Sequence, residues 1–317
     1  MKNEKKMHKN LRMCNFCCIF AANLTNNLMK RTFSLLLVAL LAVMYAVPAY
    51  GWGQEGHRII AKIAYDHLNR KARKAVDRIM ARGEGREARG ERRELKEGII
   101  YWANWPDEIK SDTIYPQSIK DGWHFQDLDA GMSDSAVVAA LTDYPKEGGS
   151  LFRALDSLVT VLRTGRIQTA SLTEYRLIQI EHTLRFVVHL SGDRYCPMHM
   201  AHMDDKGGNA VKMKWFGGNT NLHAVWDTKL IDSQGYSYTE YAQMLERTYG
   251  WKRKEIEKMS DADLLLLTYH KTDDIYRYQD TWYGNAYHYI YRWHQPMEEQ
   301  LYIAGIRLAK LLNEIFK

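Results

Sequence analysis

Apolar residues recur at helical spacing through most of this chain, and the pattern predicts a mostly α fold. Ile59, Ile60, Ile63 and Ala64 mark one helix ending near Leu68, and Lys71 to Ala81 reads as a second. Ser150 can cap a helix through Leu151, Leu155, Leu158 and Leu162, which Gly165 ends. Ser171-Leu-Thr-Glu174 is a capping box that opens a long helix through Leu177, Ile180, Leu184 and Val188 to about Asp193. Between Gly207-Gly208 and Gly217-Gly218, the alternation of Val211, Met213 and Trp215 predicts a small β-ribbon. Helices resume near Leu222, Tyr238 and Ala262, and an amphipathic helix from Pro296 to Ile315 closes the chain, with the proline in its first turn.

The first 51 residues read differently. Met29-Lys30-Arg31 is a basic start, Phe33 to Val47 is an apolar run too short for a comfortable membrane span, and Ala49-Tyr50-Gly51 has small residues where a signal peptidase requires them. Residues 1–51 are therefore expected to be a removed signal peptide. Residues 52–317 then form one helical domain, secreted or periplasmic and no longer attached to a membrane. The competing reading is an uncleaved anchor.

Removing that segment changes the charge picture. Residues 1–51 hold seven Lys/Arg and one Glu, and so carry all of the net charge of +6, leaving residues 52–317 near neutral. An anionic substrate must be held by local charge rather than by the field of the whole protein. Cys14, Cys17 and Cys18 go with the leader and Cys196 alone remains, which excludes an intramolecular disulfide. The Arg residues of the Gly83–Gly98 stretch (Arg86, Arg89, Arg92, Arg93) alternate with Glu and read as a solvated face.

The candidate chemistry lies in His and Asp at short spacings. His189/Asp193 and His223/Asp227 are i, i+4 pairs, which a helix places on one side, and His199 follows the first pair past Pro197. Imidazole nitrogen with carboxylate oxygen is a zinc ligand set. Trp52-Gly-Gln-Glu-Gly-His57 follows the expected cleavage point, where a free amine and its own carbonyl could chelate a metal beside His57. Asp107, after Trp105-Pro106, and His124, in Trp123-His124-Phe125-Gln126-Asp127, could complete a coordination shell. His67, His182, His202, His270, His288 and His294 fit no ligand position and read as surface or packing residues, and Tyr287, Tyr289, Tyr291 and Trp293 read as packing.

Five motifs occur in order: Trp52-Gly-x2-Gly-His57, Trp105-x-Asp107-Glu108, His124-Phe125-x-Asp127, His189-x3-Asp193-x5-His199 and Asn221-Leu-His223-x3-Asp227. Together with the Ala304–Glu314 helix they resemble the zinc-dependent single-strand nucleases and 3′-nucleotidases of the S-one/P-one type, over essentially all of residues 52–317. The resemblance implies the helical phospholipase C/P-one nuclease fold, a monomer, and three zinc ions. One zinc would take Asp107, His124, His189 and Asp193. A second would take the Trp52 amine and carbonyl, His57 and a bridging Asp193, and a third His199, His223 and Asp227. It also implies that Phe125 stacks on a base of single-stranded DNA, RNA or a 3′-nucleotide, that Asp127 hydrogen-bonds near that base, and that Asn209 and Lys110 approach the scissile phosphate. The expected reaction is metal-assisted hydrolysis of the P–O3′ bond, leaving 5′-phosphates, with Asp193 central to catalysis. Two rivals remain. One is a zinc phospholipase C, disfavoured by the five-residue step from Trp52 to His57 and by Asp227 where those enzymes use Glu. The other is a zinc-loaded binding protein without turnover.

Overall fold

The computed structural model describes residues 52–81, 96–111, 118, 120, 122–144, 149–164, 180–279 and 284–317. The leader at 1–51, the Arg-rich stretch through residue 95 and the capping box at 171–174 lie outside them. Among the described residues, eight longer helices carry the fold: α1 (Gln54–Asp66), α2 (Arg70–Met80), α3 (Asp134–Asp143), α4 (Leu151–Thr164), α5 (Ile180–Asp193), α6 (Tyr238–Tyr249), α7 (Asp261–Gln279) and α8 (Ala286–Ile315). Local chemistry explains their starts. The Asn69 side chain accepts the Ala72 N–H at the head of α2, and Ser237 with Glu240 closes a capping box on α6.

Two boundaries differ from the sequence reading. Helix α1 begins at Gln54, five residues before the first apolar pair, so His57 lies within its first turns. Its early residues are polar, and the apolar pattern is silent about them. Helix α8 begins at Ala286 rather than at Pro296, which sits inside it. Asn285 caps α8 by accepting the His288 N–H at 3.1 Å. The proline, lacking an N–H, interrupts one turn of a 30-residue helix without ending it. The aromatics along this stretch divide: Tyr289 and Trp293 are buried, but Tyr287 and Tyr291 are exposed, at 75% and 79%.

The expected ribbon is an antiparallel hairpin of β1 (Lys212–Trp215) and β2 (Gly218–Asn221), in the register Lys212↔Asn221 to Trp215↔Gly218. Its two-residue turn has Phe216 and Gly217 at φ +47° and +82°, the left-handed pair that suits the twist of a tight hairpin. Strand β2 leads into Leu222–Ala224, then a π-turn (Val225–Lys229), then Leu230–Asp232.

The core forms where α1 packs on α6 and α8, and where α5 packs on α4 and α8. Gly305 sets the approach of α8 to α1, because a Cβ there would lie 2.6 Å from Ile63 Cγ2. Behind α5, the buried Arg185 guanidinium is paired with Glu181 and stacks 3.8 Å from the Trp102 ring centroid. No helix among the described residues is long and apolar enough to cross a membrane. Gly305→Ala forces α1 and α8 apart and is expected to lower stability by about 1–3 kcal/mol, the usual cost of overpacking a filled core. Denaturant midpoints of the metal-free proteins measure it.

Candidate metal centre

Asp193 ends α5 fully buried, and imidazoles from four segments face its carboxylate. His124 Nδ1 and His189 Nε2 each lie 3.3 Å from Oδ2, while His57 Nε2 and His199 Nδ1 lie 3.3 and 3.4 Å from Oδ1. His189 comes from one turn earlier in α5, as the i, i+4 spacing predicts. His57 comes from α1, His124 from the segment before α3, and His199 from a 3₁₀ turn (Pro197–Met200).

Backbone carbonyls fix which nitrogens face inward. His189 Nδ1 lies 2.7 Å from Ala103 O, His199 Nδ1 2.5 Å from His124 O, and His223 Nδ1 2.6 Å from Gly207 O. A carbonyl only accepts, so each Nδ1 carries a proton, and in the neutral ring each Nε2 presents a lone pair. Lone pairs packed against carboxylates repel unless a cation lies between them.

The geometry of the first group fits one. His124 Nδ1 and His189 Nε2 lie 3.2 Å apart, each 3.3 Å from Asp193 Oδ2 and 3.5 Å from Asp107 Oδ1. Ligands at zinc bond lengths of about 2.0–2.1 Å stand about 3.3–3.4 Å apart at the corners of a tetrahedron. Asp107 lies in the short helix Trp105–Glu108, and Lys110 Nζ contacts its Oδ1 at 2.5 Å.

The second group centres on His57. Its ring stacks 3.7 Å from that of His189, and both its nitrogens are buried without an aligned hydrogen bond, as is Asp193 Oδ1. Trp52 is fully buried beside it. The indole Nε1 donates to Gly192 O at 3.0 Å, and the Gly53 N–H donates to Asp227 O at 2.5 Å, so the Trp52–Gly53 segment is pinned between α5 and the π-turn.

The third group joins His199 Nε2 to Asp227 Oδ1 at 3.8 Å and His223 Nε2 to Asp227 Oδ2 at 2.8 Å. His223 and Asp227 straddle the start of the π-turn rather than sharing a regular helix. Cys196, which the sequence reading used only to exclude a disulfide, donates its thiol to Asp227 Oδ1 at 3.4 Å.

The electrostatics follow from burial and proximity. Burial, then Lys110, pulls the His124 pKa down to about 4. Burial opposes charge on His199, but Asp193 and Asp227 outweigh it and raise its pKa to about 9. Burial opposes ionisation of Asp193, yet His189 and His199 hold it well below the carboxylate range.

Over the cluster opens a cavity of about 550 Å³, whose lining includes Lys110, Phe125, Asp127, Lys206, Asn209 and His223. Phe125 is 36% exposed and Asp127 is buried. Burial pushes the Asp127 carboxyl up to about 8. Asn209 Nδ2 donates to Lys206 O at 2.9 Å, which turns the amide group back onto its own loop. Gly207 has φ +64°, and a Cβ there would lie 2.9 Å from Met198 O and 3.1 Å from Asp127 Oδ1, so glycine lets the loop close over the carboxylate.

The other histidines stay outside. His67 pairs with Glu246, His270 with Asp134, and His182 packs on Trp105. His288 meets Tyr278, and His294 Nδ1 meets Ile290 O in its own helix. His202 stacks 3.9 Å from Tyr276 and groups with Asp204 and Asp205, whose Oδ1 is taken by the Gly208 N–H and the Tyr276 hydroxyl.

Comparison with known proteins gives a consistent result. The S1/P1 nuclease profile matches residues 52–317. Endonuclease 2 of Arabidopsis thaliana is 28% identical over 192 residues, 60% of this chain and 60% of that protein. Endonuclease 3 of the same plant is 26% identical over 287 residues, 84% of this chain and 89% of its own. Nuclease P1 of Penicillium citrinum is 25% identical over 299 residues, covering 83% and 97% of the two chains. With the profile running through every segment that builds the cluster, from Trp52 to Asp227, the chain belongs to the S1/P1 nuclease family.

Proposed function

We propose that this protein is a zinc-dependent nuclease that hydrolyses single-stranded DNA and RNA, and the 3′-phosphate of nucleotides, by breaking the P–O3′ bond. The observation that carries this reading is the close set of Asp107, His124, His189 and Asp193, with His57, His199, His223 and Asp227 grouped around it. Three zinc ions are assigned to those groups, with Asp193 shared between two. The second is completed by the amine and carbonyl of Trp52 once residues 1–51 are removed on export, giving a secreted or periplasmic monomer. When bound, the zinc ions supply Lewis acidity and a water acidified towards neutral pH.

The chain's own groups do the rest. Phe125 offers a half-open ring to a base turned out of the strand, which a paired base cannot reach without unstacking. Asp127, held mostly protonated by burial at neutral pH, can donate to a base heteroatom as well as accept from one. Lys110, held on Asp107, brings a positive charge to the cavity wall for a phosphate oxygen. Asn209 would turn its amide from Lys206 O to the phosphate.

The exported protein, assayed with zinc on single-stranded DNA, RNA, a 3′-mononucleotide and phosphatidylcholine, is expected to cleave the first three and leave the lipid intact. The nucleic acid products should carry 5′-phosphates, chelator should abolish turnover, and the intact mass should begin at Trp52. Hydrolysis of the lipid alone would make it a phospholipase. Asp193→Asn should lose bound zinc and turnover together, by elemental analysis and rate, and full activity in that variant would remove its bridging role. Phe125→Ala should raise KM on oligonucleotides by about 5- to 150-fold with a smaller change in kcat, the range expected when one stacked base is lost. An unchanged KM would place base contact elsewhere.

A further inference from the structure

Cys196 touches three of the cluster's residues at once. Its N–H donates to Asp193 O at 3.0 Å, its carbonyl accepts the His199 N–H at 3.0 Å, and its thiol donates to Asp227 Oδ1 at 3.4 Å. The side chain is fully buried and opens the 3₁₀ turn that delivers His199, one residue before Pro197. Asp227 is also fully buried, and its two oxygens face different neighbours. Oδ1 looks toward Cys196 and His199 Nε2, while Oδ2 lies 2.8 Å from His223 Nε2. The main chain of Asp227 is held separately, by the Gly53 N–H on its carbonyl. That bond fixes the peptide but leaves rotation about the side-chain bonds free. Among the contacts the described residues make with the carboxylate, the thiol is the one donor that is not itself an assigned metal ligand.

We propose that Cys196 is a positioning residue of the third metal site, its S–H holding the Asp227 carboxylate in the rotamer that turns Oδ2 toward the metal shared with His199 and His223. The inference rests on the zinc reading above and adds that sulfur acts on the carboxylate rather than on the metal. Groups that orient a ligating carboxylate typically contribute 10- to 100-fold to metal affinity when measured by removal. A thiol is a weak donor, so the lower part of that range applies.

The test compares full-length exported wild-type, C196A and C196S proteins by zinc stoichiometry and by competition with a chromogenic chelator, neither of which needs a substrate. C196A is expected to release one zinc about tenfold more readily than wild type, with the other two unchanged. C196S, which keeps a donor of similar size, should recover most of that loss. Cobalt-substituted wild type should show no sulfur-to-cobalt charge-transfer absorption. Thermal midpoints of the metal-free proteins show whether either variant merely unfolds. An unchanged affinity in C196A overturns the proposal, and so does an equal loss in C196A and C196S, which would mean packing alone. A sulfur–cobalt band lost in C196A also overturns it, by making the sulfur a ligand. A wild-type protein that binds no zinc would sink the underlying metal reading instead.

Discussion

The architecture depends on one electrostatic constraint, a fully buried carboxylate ringed by imidazoles. Asp193 has His124 and His189 on one oxygen and His57 and His199 on the other, all within 3.4 Å. A buried carboxylate is tolerated only when charge or hydrogen bonds replace its lost hydration. Protons shared with neighbouring imidazoles supply part of that, as the lowered pKa of Asp193 shows. A cation could supply it more completely, because His189 and His199 have their Nδ1 protons committed to backbone carbonyls. The helices can be read as the frame that brings four rings from four segments to one carboxylate.

That frame is stiff where it must be. Helix α5 carries both His189 and Asp193 and packs on α4 and α8, while α1 brings His57 and packs on α8 with Gly305 at the contact. The loop elements are tied in by hydrogen bonds as well as by core burial. Trp52 and Gly53 are fastened to Gly192 and Asp227, and Cys196 fastens the His199 turn to the Asp193 main-chain carbonyl and the Asp227 carboxylate. The buried polar atoms near the cluster that lack an aligned partner are concentrated on His57, His124, Asp107, Asp127, Asp193 and Asp227. Buried polar atoms left without a partner around one carboxylate are the expected form of a site built around a ligand.

Much of this was legible in the chain. The helical period located α2, α4 and the end of α5 to within a residue or so, and the i, i+4 rule brought His189 and Asp193 together. The resemblance placed Asp107, His124 and His57 in the same cluster, and in the structure His124 Nδ1 lies 3.5 Å from Asp107 Oδ1 and His57 Nε2 3.3 Å from Asp193 Oδ1. What failed to show has physical reasons. A proline in the middle of α8 looks like a start because a missing N–H is harmless at a helix start, and Asn285 left only a weak signal eleven residues earlier. The orienting carbonyls of Ala103, His124 and Gly207 belong to every residue type and have no signature in sequence. Cys196 was invisible as a donor, because a lone cysteine in a helical protein reads as packing until its neighbours are known.

The segment from His124 to Leu128 lies alongside His199 to Ala201. The Gln126 N–H is bonded to His199 O, the Leu128 N–H to Ala201 O, and the ring of His199 to the carbonyl of His124. Phe125 and Asp127, which face the cavity, therefore share their peptides with the groups that orient a metal-facing ring. On the proposed reading, in which Phe125 and Asp127 contact a base, altered base preference cannot evolve freely along this strip, since a shift of its backbone would misalign the cluster. Diversification is left to side chains on the cavity's outer wall, such as Lys206, whose replacement disturbs no orienting carbonyl.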